Sequence, residues 1–157
     1  MITVHHLRRS RSERIVWLLE ELGIDYQLER IDRVDGRYAP ASLQRIHPLG
    51  RAPVIRDGDV LLAESGAIVE YILARYGEGR LAVRPHEAGF ADYLYWFHYA
   101  EASLMLQLLR ESSLVRIVPE VDRYPGMEKV RQTTREHMEF IDQALAASSY
   151  LAAGRFT

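Results

Sequence analysis

"ITVHHLRRSRSERIVWLLEELGIDYQLERI", Ile2 to Ile31, decides the fold. Ile2, Val4 and their neighbours form a short β-branched run, and Ile15, Val16, Leu18, Leu19 and Leu22 then recur at helical spacing until Gly23 stops them. "DYQLERI", Asp25 to Ile31, alternates apolar and polar residues and reads as a second strand. A strand reached through a helical crossover lies parallel to the one before it, so the opening unit is βαβ with its first two strands parallel. Further on, Pro48 and Pro53 in "HPLGRAP" bar continuous helix after a weak helical turn around Leu43 to Ile46. "VIRDGDVLLAESG" sets Asp57-Gly58 between two apolar runs, a hairpin signal, and Ser65 then opens a helix carrying Ile68, Val69, Tyr71, Ile72 and Leu73. The order is βαβ followed by ββα.

Beyond that unit the strand pattern stops. "YGEGRLAVRPHEAG", Tyr76 to Gly89, is rich in Gly, Arg and Pro and separates the mixed unit from purely helical sequence. The expected organisation is an α/β domain over residues 1–76, a linker over 77–89 and an all-α domain over 90–157. The helical part holds an aromatic stretch from Phe90 to about Ser112 and an amphipathic one from Gly126 to about Ala147, with Val130, Met138, Ile141 and Leu145. Two helices form a thin core and leave an apolar face that more chain, or a partner, is expected to cover.

Bulk properties narrow the chemistry. With 157 residues, 48% hydrophobic and 27% charged, the chain has globular composition and enough apolar side chains for a core. A net charge of -2 offers no general attraction to nucleic acid or to acidic lipid. The chain has no cysteine, which removes disulfide scaffolds, zinc ribbons and a thiol redox couple carried by the protein. Neither a signal-peptide stretch nor an uninterrupted apolar run of membrane-spanning length occurs, so a cytoplasmic protein with no nucleic-acid or membrane partner is expected.

Three chain reversals carry candidate chemistry. At the first, Ser10 and Glu13 match the capping box S-x-x-E, an ordinary helix start. The same place offers a hydroxyl, free backbone N–H groups, a positive helix end and the arginines Arg8, Arg9, Arg11 and Arg14, which together stabilise an anion. A serine without a base cannot remove a proton at neutral pH, so its task there is to donate a hydrogen bond. The second reversal is "RAPV". Pro53 at a strand start is common, but a cis Ala52–Pro53 bond turns the Ala52 backbone outward to pair with an extended peptide-like ligand. At the third, "AESGAIVEYI", Ser65 reads as an N-cap, while Glu64 beside a helix N-terminus makes a cradle for a carboxylate and an amine. A hydroxyl, an open backbone edge and such a cradle suit a small zwitterionic peptide. Metal chemistry is not expected. His5 and His6 point to opposite faces of one strand, and His98 with Glu101 lacks a second pair of ligands. Neither a phosphate loop nor a dinucleotide fingerprint is present.

The segments "SRSERIVWLLEELG", "HPLGRAPVI", "LLAESGAIVEYI", "YLYWFHYAEASL" and "YLAAGRFT" give the chain, over nearly its whole length, a resemblance to the glutathione S-transferase family, particularly its bacterial and fungal members of the yeast Gtt type. The resemblance implies a thioredoxin-like N-terminal domain that binds glutathione and a helical C-terminal domain that supplies the electrophile pocket. Members continue for several helices after the position of "GRFT", so the helical domain is expected to be truncated. By position, Ser10 takes the place of the serine-type catalytic residue, four residues before Arg14, with Ser12 as runner-up. Ala52 with cis-Pro53 pairs the cysteinyl backbone, Glu64 and Ser65 hold the γ-glutamyl end, and His47 and Arg51 are looser candidates for the glycyl carboxylate. Arg14 belongs to the same binding set.

The expected activity is a detoxifying glutathione transferase that ionises the bound thiol for attack on a small hydrophobic electrophile. Glutathione is then the co-substrate, no other cofactor or metal is required, and a homodimer is the expected assembly. Lowering the thiol's pKa by about two units takes roughly 2.7 kcal/mol, within reach of a hydroxyl, a helix dipole and nearby arginines together. Two alternatives stay open: a non-catalytic interaction module on the same fold, and a glutathione-dependent isomerase, peroxidase or dehalogenase. The aromatic helix around Tyr93, Trp96 and Tyr99 reads first as packing or dimer surface and second as electrophile pocket.

Overall fold

A computed structural model describes residues 1–36 and 38–157. The Cα packing divides the chain into two units, Met1–Arg80 and Leu81–Thr157. The first contains strands β1 (Ile2–Leu7), β2 (Tyr26–Ile31), β3 (Val54–Asp57) and β4 (Val60–Ala63), with helices α1 (Ser12–Leu22), α2 (Ser42–Ile46) and α3 (Ser65–Tyr76). The strands lie in the order β2-β1-β3-β4, with β1 and β2 parallel and the other two pairings antiparallel. This is the thioredoxin-like mixed sheet that the βαβ-ββα order implies.

The apolar spacing of the sequence becomes the core. Ile15, Leu19 and Leu22 fall on one face of α1, and Ile68 and Ile72 on one face of α3. These side chains are buried with Ile2 and Val4 of β1 and Val54 and Ile55 of β3, because α1 and α3 pack against each other and on the sheet. Leu43, from the short helix α2, is fully buried as well.

Helix α1 ends where Gly23 adopts a left-handed φ of 62°, its N–H donating to the Glu20 carbonyl at 3.0 Å and the Ile24 N–H to that of Leu19 at 2.9 Å. No atom lies within 4 Å of where a Cβ would sit. Gly23→Ala is therefore expected to lower unfolding stability by about 1 kcal/mol through backbone conformation alone. A urea midpoint equal to that of the wild type would contradict it.

The second unit is helical: α4 (Phe90–Tyr99), a π-helical turn (Ala100–Leu104), α5 (Met105–Ile117), a 3-10 turn (Val121–Arg123) and α6 (Pro125–Ala147). The aromatic stretch and the amphipathic stretch of the sequence are thus one long interrupted rod and one long helix. Their shared core is small, as two helices allow: Val121, Met127 and Val130, with Leu114 and Val118 against them. Leu106, Leu109, Val115 and Ile117 stay exposed. Gln107 is buried, its amide donating to the Val130 carbonyl at 2.8 Å and to Thr134 Oγ1 at 3.1 Å, which ties α5 to α6. Among the described residues no helix is long and apolar enough to cross a membrane.

Candidate active site

The junction between β1 and α1 is built differently from a capping box. Helix α1 begins at Ser12, its N-cap is Arg11, and no side chain caps it. Ser10 Oγ accepts the N–H of Ser12 at 3.2 Å rather than that of Glu13, and the Glu13 carboxylate accepts the N–H of Arg9 at 3.0 Å rather than that of Ser10. Both bonds have moved by one residue because Arg9 takes a left-handed φ of 55°, which tightens the loop ahead of the helix. Arg33, from beyond β2, holds that loop: its guanidinium donates to the carbonyls of Arg8 and Arg9, each at 2.9 Å.

The two serines occupy unlike places. Ser12 is fully buried, and its Oγ lies 2.7 Å from Ser10 Oγ, 2.9 Å from His6 Nδ1 and 3.1 Å from the Leu7 carbonyl. One proton and two acceptor positions are then all engaged. Ser10 is only half-buried. Positive charge stands close by: burial, and after it the charge of Arg11, lowers the pKa of the Arg14 guanidinium, the sign of cations gathered at the positive end of α1. The neighbouring histidines go separate ways, His6 to Ser12 and the buried His5 to the Glu29 carboxylate at 2.7 Å.

A second cluster surrounds a cavity of about 200 Å³. His47, Arg51, Ala52 and Pro53 reach it from the loop before β3, and Glu64 and Ser65 from the β4–α3 junction. Leu49 and Ala63 complete the apolar wall, and Arg11 lines the cavity as well. The Ala52–Pro53 bond is cis. Ser65 is the first residue of α3 and not its cap; that position belongs to Glu64, at φ 71° and ψ 118° with no capping bond from its side chain. Such a backbone costs on the order of 1–3 kcal/mol and persists where the surrounding structure enforces it, commonly at a ligand clamp. His47 Nδ1 is buried with no hydrogen-bond partner among the described residues, a further sign of a site shaped for something polar. All six sequence candidates from these two loops therefore meet at one cavity. Ser10, Ser12 and Arg14 do not line it, although Arg11, from the same junction as Ser10 and Ser12, does.

In the helical unit, Tyr93, Trp96 and Phe97 line a cavity of about 340 Å³ together with Tyr150, Leu151 and Phe156. Tyr99 is not among its walls; it stacks on Tyr95 and touches Phe140 and His137. Sequence reasoning considered His6 only as a metal ligand and did not notice Arg33. Neither was findable from pattern, because both act on groups in other elements.

The mixed sheet with a cis-proline loop, a strained acidic residue at the start of α3 and a serine at the start of α1 defines a thioredoxin-like domain followed by helices. Residues 1–74 match the family model "Glutathione S-transferase, N-terminal domain". Over 171 aligned residues the chain is 37% identical to Glutathione S-transferase 3 of Schizosaccharomyces pombe, an alignment that covers all of this chain and 69% of that relative. The crystal structure of a glutathione S-transferase from Actinobacillus pleuropneumoniae superposes with a TM-score of 0.82 at 34% identity, covering 96% of this chain and 69% of that one. A theta class glutathione S-transferase from Xanthomonas axonopodis pv. citri, solved with glutathione bound, gives a TM-score of 0.78 at 26% identity over 99% of this chain and 72% of that one. The chain belongs to the glutathione S-transferase family.

Proposed function

We propose that this chain is a glutathione transferase that binds the tripeptide against the cis-proline loop and ionises its thiol for attack on a small hydrophobic electrophile. The observation that carries the reading is the meeting of His47, Arg51, Ala52, Pro53, Glu64 and Ser65 around one polar cavity beside the strained start of α3. In this reading Glu64 takes the γ-glutamyl amine, and Ser65 with the N–H groups of α3 takes the adjoining carboxylate. The backbone of Ala52 pairs with the cysteinyl residue, while Arg51 and His47 face the glycyl carboxylate. Arg11 and Arg14 add positive potential.

Ser10 is the hydroxyl that meets sulfur. Its partial exposure supports this choice, whereas Ser12 is fully buried with its whole hydrogen-bonding capacity engaged inside the protein. A thiol is mostly protonated at neutral pH and the thiolate is the nucleophile. Ser10 therefore works by stabilising the anion, and Arg14 and the helix end do the same from further away. The thiol's proton passes to solvent, and the electrophile accepts a sulfur–carbon bond and either gives up its leaving group or opens its double bond and takes up a proton; the apolar cavity of the helical unit suits a small apolar molecule. A homodimer in the cytoplasm is the expected working form.

Calorimetric titration of glutathione into the 157-residue chain tests the binding half. Saturable heat is expected, with Glu64→Gln weakening affinity about tenfold by removing a charge-assisted hydrogen bond while circular dichroism stays native. A chain that gives no heat would instead be the interaction module.

A further inference from the structure

The junction between β1 and α1 sends one side chain into the cavity at the cis-proline loop, and it is neither serine. Ser10 and Ser12 face each other, their Oγ atoms 2.7 Å apart, and Ser12 is fully buried. The residue between them turns the other way: Arg11 lines the cavity with Arg51, Ala52, Pro53, Glu64 and Ser65. Its backbone is well held. Arg11 lies in the helical region at φ -61° and ψ -10°, and its carbonyl accepts the N–H of Arg14 at 3.2 Å. Just before it, Arg33 braces the carbonyls of Arg8 and Arg9.

A count of the charges around the cavity leaves Arg11 one task. Glutathione carries one ammonium and two carboxylates, and an ionised thiol adds a third negative group. In the proposed binding mode Glu64 meets the ammonium, Ser65 with the N–H groups of α3 meets one carboxylate, and Arg51 with His47 meets the other. Arg11 is then the remaining cation of the wall and sulfur the remaining anion. A guanidinium stays protonated at every working pH and offers five N–H donors, so it holds a thiolate without exchanging a proton, and the thiol's own proton leaves to solvent. Arg14 does not replace it, because it is not part of the wall. The two guanidiniums are close enough for the charge of Arg11, after burial, to lower the pKa of Arg14. An anion in front of Arg11 offsets that repulsion.

We infer that Arg11 is a catalytic residue whose guanidinium touches the sulfur of bound glutathione and stabilises its thiolate. This deepens the proposed function and rests on the tripeptide lying in this cavity; it does not draw on the serine hydroxyls.

Two measurements on the 157-residue chain separate sulfur from the carboxylates. One follows the ultraviolet thiolate absorbance of bound glutathione across pH, and the other is calorimetric affinity for S-methylglutathione, whose sulfur cannot ionise. Arg11→Gln should raise the thiol's pKa by about one unit and lower kcat/KM at neutral pH about tenfold, while affinity for S-methylglutathione stays within about threefold of wild type. Arg11→Lys should return most of the shift, since it keeps the charge. A thiol pKa equal to wild type in Arg11→Gln overturns the inference. So does a larger loss of S-methylglutathione affinity, which would put Arg11 on a carboxylate. Where Arg11→Gln does not fold, as judged by circular dichroism, Arg11→Met carries the same expectations and the same refutations. If wild type gives no heat with glutathione or S-methylglutathione, the binding reading falls and Arg11 with it, whereas normal wild-type binding with an unshifted Arg11→Gln removes only Arg11.

Discussion

Ser10→Ala is expected to raise the pKa of bound glutathione's thiol by roughly one and a half units and to lower kcat/KM at neutral pH roughly thirtyfold. Both figures express one quantity, about 2 kcal/mol for a hydrogen bond donated to an anion in a partly dehydrated place. Glutathione affinity should change far less, since the proposed binding mode places the tripeptide's two charged ends in the cavity lined by Glu64, Ser65 and Arg51, whose walls do not include Ser10. The expected signature is a fall in rate that shrinks as pH rises and solution chemistry ionises the thiol unaided. Ser12→Ala gives a contrast: its hydroxyl is fully buried against Leu7, His6 and Ser10, so it loses packing and orientation but not the contact to sulfur. A rate profile for Ser10→Ala that tracks wild type at every pH, with Ser12→Ala the more damaged of the two, would transfer the role to Ser12.

The second large effect concerns stability. Asp57 closes β3, and its nearly buried carboxylate accepts the hydroxyl of Tyr71 at 2.8 Å and the hydroxyl of Tyr76 through a still shorter bond, with Arg75 Nε at 3.8 Å. Arg75 also stands over both tyrosine rings, 5.8 Å from each centroid. The group fastens the last two turns of α3 to the end of β3, an inner strand of the sheet. Asp57→Ala leaves two tyrosine hydroxyls without their acceptor and is expected to cost about 2–3 kcal/mol, seen as a fall of roughly 5–10 °C in Tm. The Tyr76 hydroxyl, and after it that of Tyr71 and the charge of Arg75, hold the carboxyl below the ordinary aspartate value against the opposing effect of burial. A depressed folded-state pKa contributes stability that is complete above about pH 4 and lost as pH falls through the folded value. Wild type should therefore lose stability in acid more steeply than Asp57→Asn. Parallel urea midpoints for the two chains between neutral pH and pH 3 would refute the assignment.

How much of this was legible in the sequence depends on the range over which each feature acts. The βαβ-ββα order was, because Ile15, Leu19 and Leu22 repeat at the period of the helix they form, and Asp57-Gly58 signals its own reversal. The residues around the cavity were legible from the likeness of "GRAPV" and "AESGAI" to a known family. Composition alone would not have joined two loops so far apart in the chain. The unlike burial of Ser10 and Ser12 was not legible, since two hydroxyls two residues apart at one junction differ only in which side the backbone turns inward. That turn is set by Arg33, bonded to carbonyls 24 and 25 residues earlier, and a side chain that binds backbone leaves no periodic trace. The capping box misled by one residue for the same reason: S-x-x-E fits the spacing, but Arg9 at positive φ shifts both of its hydrogen bonds.

The π turn at Ala100–Leu104 puts the two halves of a continuous rod out of phase. A widened turn absorbs about one extra residue, and one residue is worth about 100° of rotation about the axis. Trp96 and Tyr99 ahead of it therefore aim their rings at Phe140, while Gln107 behind it reaches the Val130 carbonyl, and both engage the same long helix. Excising a single residue from that turn would spin everything downstream off its partners, which makes its length, more than its composition, the quantity that keeps the helical unit in register.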